Sequence, residues 1–200
     1  MGFSSYSLFP VTCSLLMRAF VAIELPPAVQ GELRRQQAAF RAVAPEARWT
    51  RPEGIHITLK FLGEIDSVQV DAVVKALAAL GPWAGFEIEV RGFGFFPEAR
   101  RPRVFWAGIR APADLADLAA LVEGAMEDLG FAPEERAFTP HLTLARFKIP
   151  RPQPDLAAVV EKQPHLSLGR FQVSGFFLFE SRLSPQGAEY RKVARFPREE

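Results

Sequence analysis

The chain of 200 residues is long enough for one domain or for two small lobes sharing a cleft, and its apolar fraction of 48% and charged fraction of 24% are those of an ordinary globular protein. A net charge of +1 excludes a strongly basic nucleic-acid coat and leaves only local basic clusters. One cysteine, Cys13, excludes an internal disulfide and a thiolate metal cluster, which fits a reducing, cytoplasmic setting.

Residues 1–16, MGFSSYSLFPVTCSLL, are apolar and uncharged. The first basic residue, Arg18, follows that run instead of preceding it, Pro10 interrupts it, and it falls short of the ~20 residues that span a bilayer. The stretch reads as a disordered or mis-assigned N-terminal extension, followed by one domain over 17–200. RAFVAIEL (18–25) is a strand stopped by Pro26 and Pro27, and 28–43 has helix-forming composition ended by Pro45. GIHITLKFL (54–62) alternates residue by residue, the pattern of a half-buried strand. SVQVDAVVKALAAL (67–80) spaces its apolar residues by three and four, which predicts a helix capped by Ser67 and closed by Gly81 and Pro82.

FEIEVRGFGFF (86–96) and RVFWAGIR (103–110) predict strands joined by a Pro- and Arg-containing turn. An amphipathic helix over 113–129 ends at Gly130, PHLTLARF (140–147) is the next strand, and 154–162 is a short helix. SLGRFQVSGFFLFESRL (167–183) and AEYRKVARF (188–196) read as a closing antiparallel pair around Pro185, Gln186 and Gly187. The order of elements repeats in the two halves. The fold class is α+β, with antiparallel sheets around a central cleft. Nothing downstream of the first segment resembles a transmembrane helix.

All three histidines of the chain stand in the pattern His-x-[Ser/Thr]-Leu: His56 with Thr58, His141 with Thr143, and His165 with Ser167. On a strand, residues two apart share a face, so each motif sets an imidazole and a hydroxyl ~7 Å apart on one side and two apolar side chains on the other. Two such strands lining one cleft bring two imidazoles to a common volume. One can act as general base and the other as general acid, while the hydroxyls and an arginine hold phosphate oxygens. A cyclic phosphodiester suits this arrangement, because its leaving alkoxide is protonated as it departs. The spacings lack the ligand patterns of a zinc site, and no metal or other cofactor is expected.

These residues, with MRAFVAIELP, HITLKFLG, RPRVFWAGI, FTPHLTLARF and LFESRLSPQGAEYRKVARF, resemble the two-histidine phosphoesterases, and among them the RNA 2′,3′-cyclic phosphodiesterases also called 2′-5′ RNA ligases. The resemblance runs from about Arg18 to Phe196. It implies a bilobal α+β fold of pseudo-twofold symmetry, with helices outside, and metal-independent opening of 2′,3′-cyclic phosphate ends to 2′-phosphates. For some members it also implies joining of tRNA halves. It places His56 and His141 as the catalytic pair, His141 as base and His56 as acid. Thr58, Thr143 and Arg146 fall to the phosphate, and Phe61 to a terminal base. The implied partner is an RNA terminus, from tRNA fragments or small nucleotides, met by a monomer with no membrane.

Parity complicates two of these positions. Arg146 and Phe61 each lie five residues after a motif histidine, so an ideal strand turns both away from the cleft, and only a twist or bulge returns them. Lys60, four after His56, has cleft parity unaided and is a further candidate substrate contact. His165 follows Pro164, carries serine for threonine and matches no motif of the family, so it reads as a surface or loop histidine. Arg48, Arg51, Arg100, Arg101 and Arg103 read equally as a guide for an RNA end or as solvated loop charges. A phosphodiesterase acting on another small cyclic phosphate or on 2′-5′ oligoadenylate, and a non-catalytic RNA-end binding module, remain as alternatives.

Overall fold

Strand β1 (Met17–Glu24) points Ala19, Val21 and Ile23 into the main core and Phe20 and Ala22 to its other face, as its alternating sequence requires. A computed structural model describes residues 16–81, 83–184 and 187–197, so the extension expected over 1–16 lies, but for Leu16, outside the described residues, as do Pro82 and the turn residues Pro185 and Gln186. Helix α1 (Pro27–Val43) follows the Pro26–Pro27 break and buries Leu33, Gln37 and Phe40. The two-residue strand β2 (Arg48–Trp49) and a 3-10 turn (Pro52–Gly54) lead into β3 (His56–Ile65). Helix α2 (Ser67–Ala79) is capped by Asp66 and not by the expected Ser67. The Asp66 carboxylate accepts from the Gln69 backbone N–H at 2.8 Å, and the Gln69 side chain accepts from the Asp66 N–H at 3.0 Å.

Strands β4 (Phe86–Phe96) and β5 (Val104–Arg110) form the predicted hairpin, followed by α3 (Ala113–Glu127), β6 (His141–Arg146) and α4 (Pro154–Glu161). The apolar run after residue 167 is two strands and not one. β7 (Ser167–Val173) joins one sheet, and β8 (Phe176–Ser184) pairs with β9 (Gly187–Phe196) in the other. The break falls at Ser174 and Gly175, where a Cβ on Gly175 would sit 2.9 Å from the Phe196 carbonyl oxygen.

Every pairing is antiparallel, in one sheet ordered β3-β1-β8-β9 and another ordered β2-β6-β5-β4-β7. The core faces of both sheets merge in one apolar cluster that includes Val21, Ile57, Phe105, Leu142 and Leu144, with helices packed on it. Phe40 lies at its centre, edge-on to Phe93 and Phe105. β3 of the first sheet approaches β6 of the second, and the space beside their histidine-bearing faces is the candidate cleft. Among the described residues no helix is long and apolar enough to cross a membrane.

Candidate active site

The motif strands carry their histidines at the first position, each held in the same way. The His56 Nδ1 lies 2.9 Å from the Gly54 carbonyl oxygen and the His141 Nδ1 lies 2.8 Å from the Thr139 carbonyl oxygen. A carbonyl only accepts, so each Nδ1 carries the hydrogen and each neutral ring keeps Nε2 bare, ready to take a proton. Two residues on, Thr58 and Thr143 share the histidine faces, while Ile57, Leu59, Leu142 and Leu144 enter the core.

Beyond the threonines both strands bulge. On β3 the register with β1 steps from Ala22↔Thr58 to Val21↔Lys60, leaving Leu59 without a partner. On β6 the register with β5 steps from Trp106↔Thr143 to Phe105↔Ala145, leaving Leu144 without one. One extra residue inverts the alternation. Arg146 therefore returns to the face of His141, opposite Val104 and Arg48, and Phe61 returns to the face of His56, opposite Phe20. Lys60 goes the other way, contrary to its parity in an ideal strand. It is 2% exposed, and its Nζ pairs with the Glu123 carboxylate and donates to the Ala132 carbonyl at 2.7 Å. It does not line the cleft.

An aromatic wall surrounds His56. Its ring stacks on Phe20 at 4.6 Å between centroids and meets Tyr190 edge-on at 5.1 Å, with Phe179 behind Phe20. His141 is more open and meets the edge of Phe96 at 5.0 Å. Burial lowers the His56 pKa to about 4, with the positive charges of Arg146 and His141 acting in the same direction against the Gly54 hydrogen bond. Burial and Arg146 likewise lower that of His141, against the Thr139 hydrogen bond. Arg146 also acts on Tyr190, whose phenol is raised chiefly by burial. The field of one guanidinium thus reaches both imidazoles and the tyrosine, so β3, β6 and β9 converge on one volume.

Phe20, Phe96 and Tyr190 escape the motif-based reading because each comes from a strand far in sequence from the histidine it adjoins, and Trp106 because it meets Thr143 only through the register of β5 with β6. A usable signal existed for Trp106, a large aromatic on a strand whose alternate positions, Phe105 and Ala107, enter the core. His165 is exposed on the turn before β7. Arg48, Arg51, Arg100, Arg101 and Arg103 are exposed, and of these Arg48 faces Arg146 across the ladder. Among the described residues no three His, Cys, Asp or Glu side chains are grouped to hold a metal ion.

The LigT-like phosphoesterase profile matches residues 23–106 and again residues 109–190, one stretch around each His-x-Thr strand. The chain belongs to the LigT-like phosphoesterase family. The RNA 2′,3′-cyclic phosphodiesterase of Methanothermobacter thermautotrophicus is 32% identical over 181 residues, 90% of this chain and 98% of that protein. The protein of the same description from Aeropyrum pernix is 34% identical over 164 residues, 82% and 93% of the two chains. A crystal structure of a Thermus thermophilus protein superposes on this member of the LigT-like family with a TM-score of 0.76 at 31% identity, covering 90% of this chain and 97% of the other. E. coli LigT complexed with 3′-AMP superposes at 0.73 with 25% identity and the same coverage.

Proposed function

We propose that this protein is an RNA 2′,3′-cyclic phosphodiesterase that opens cyclic phosphate ends to 2′-phosphates. The observation that carries this reading is the matched pair of half-sites. Each offers an imidazole with Nδ1 fixed on a backbone carbonyl and a threonine hydroxyl two residues on, and one arginine reaches both rings with its field. The names of the relatives and the 3′-AMP held by E. coli LigT support the substrate class.

In the proposed step, water attacks phosphorus in line with the P–O3′ bond. His141 takes the proton from water, the new P–O bond forms as P–O3′ breaks, and His56 gives its Nε2 proton to O3′. Thr58, Thr143 and Arg146 hold the non-bridging oxygens. His56 carries no proton on Nε2 at neutral pH in the empty cleft. The phosphodiester anion supplies the opposite charge that allows it to gain one on binding. A 5′-hydroxyl in place of water, deprotonated by His141 while His56 protonates the departing O3′, would give a 2′-5′ linkage.

The test is incubation with an oligonucleotide ending in 2′,3′-cyclic phosphate, with a chelator present, and identification of the monophosphate formed. A 2′-phosphate end is expected at an undiminished rate. No turnover, or turnover abolished by the chelator, would overturn the reading.

A further inference from the structure

Each imidazole of the cleft meets an aromatic ring edge-on, in nearly the same geometry. Tyr190 stands 5.1 Å from His56 at an interplanar angle of 89°, and Phe96 stands 5.0 Å from His141 at 87°. Ring edges are partly positive and ring faces partly negative, so a contact of this kind orients an imidazole without any polar group. Phe96 does so with a bare phenyl. The Tyr190 hydroxyl is therefore surplus to the seating of His56, and among the described residues it has no hydrogen-bond partner.

The ring that carries this hydroxyl is held firmly. Phe20 meets it edge-on at 5.1 Å, His56 closes a second side, and the turn before β3 lies against it, where a Cβ on Gly54 would stand 3.1 Å from Tyr190 Cε2. Gly54 lies outside the left-handed region, so what it provides is room for the ring. The same glycine offers the carbonyl that fixes His56 Nδ1, so ring and imidazole share one support. Arg146 and Arg18 are the charges that act on the phenol, and burial keeps it protonated. A phosphate drawn to Arg146 thus comes to the neighbourhood of an unused donor.

We infer that the Tyr190 hydroxyl is a further substrate-contact group, donating a hydrogen bond to a non-bridging phosphate oxygen on the His56 side of the cleft. The inference rests on the phosphodiesterase reading and adds a donor from β9 to those of the two motif strands. The phenol keeps its hydrogen throughout. It stabilises the charge that grows on that oxygen as water adds to phosphorus, while His56 gives the departing O3′ its proton. Because packing already holds the ring, the donor needs no rearrangement at that moment.

The experiment compares wild type with Tyr190→Phe on 2′,3′-cyclic AMP and on the two diastereomers of its cyclic phosphorothioate, in which sulfur replaces one or the other non-bridging oxygen. Tyr190→Phe keeps every ring contact, so its circular dichroism and urea midpoint should match the wild type. Its kcat should fall roughly ten- to a hundredfold with KM little moved, the loss of one donor to developing charge. The ratio of rates on the two diastereomers should also change, because the variant no longer discriminates oxygen from sulfur at the position Tyr190 contacts. A kcat near the wild-type value, a diastereomer ratio that the substitution leaves unmoved, or a lowered urea midpoint, which would make the hydroxyl part of the fold, overturns this inference alone. Absence of turnover by the wild type overturns the phosphodiesterase reading and this inference with it.

Discussion

The side-chain amide of Gln37 donates to the carbonyl of Leu144, the unpaired residue of the β6 bulge, 107 residues further along the chain. The same carbonyl accepts from the Thr50 N–H at 2.9 Å, and Gln37 also donates to the Thr50 carbonyl at 2.9 Å. A bulge frees backbone groups from the ladder, and here a glutamine that is 2% exposed satisfies one of them. Gln37 thereby fixes the inversion that brings Arg146 to the cleft without touching the cleft itself. Gln37→Ala should cost ~1 kcal/mol in urea unfolding, the usual net loss for one hydrogen bond. It should also raise KM severalfold on a cyclic mononucleotide. An unchanged KM would show that β6 holds Arg146 without this support.

Replacement of the imidazoles separates the pair from the third copy of the pattern. His56→Ala and His141→Ala should each lower kcat by at least ~10²-fold, the loss typical of a general acid or base. His165→Ala should leave kcat and KM near the wild-type values, since that residue is exposed before β7. Steady-state rates on a cyclic-ended substrate check this, and equal loss in all three variants would refute the two-histidine assignment.

The depressed His56 pKa makes stability depend on pH in a defined window. Between about 4 and its ordinary 6.5 the unfolded chain binds a proton at His56 that the folded chain excludes, so stability rises with pH across that interval. It is fully present above pH 6.5 and is lost as pH falls toward 4, by at most ~3 kcal/mol from this group. His141 is lowered also and adds in the same direction. Urea unfolding at a series of pH values should show this slope, and His56→Asn should flatten it. The upper limb of the kcat profile should also lie at higher pH than that of kcat/KM, because the bound anion raises the proton affinity of the pair.

Lys60 offers a stability test independent of chemistry. Lys60→Met removes the cation that is buried against Glu123 and the donor to Ala132. Breaking such a pair while leaving the carboxylate in place should cost ~2–4 kcal/mol, reduced from the fully buried case by the partial exposure of Glu123. A loss under ~0.5 kcal/mol in chemical unfolding, the scale of an ordinary surface substitution, would show that the pair is not holding the 131–135 loop.

The alternation in HITL and HLTL suffices to put both histidines and both threonines on cleft faces, since period two is a local property of a strand. The fates of Lys60, Phe61 and Arg146 are not local. Each depends on one unpaired residue, Leu59 or Leu144, and that residue is unpaired because of the partner strand's register. Ser67 and Asp66 both suit a helix cap, and the choice went to the residue three before Gln69, which completes the reciprocal box. The division of the run after 167 was written in Gly175, but its reason, close approach of the Phe196 backbone, needs the other end of the chain. Tyr190 reaches His56 only because β9 closes the sheet that β1 and β3 begin.

Trp106 lies across Gly94 so closely that a Cβ at that glycine would sit 2.2 Å from the indole, and its Nε1–H finds no acceptor among the described residues. Its register partner is Thr143, which sets the ring beside the face that carries His141 and Thr143. The other tryptophans stand elsewhere, Trp49 against Phe40 and Trp83 against Phe86. The protein therefore carries a native optical probe of its own cleft. Emission that changes on titration with a nucleoside monophosphate, and that falls silent in Trp106→Phe, would read occupancy directly, without label or turnover.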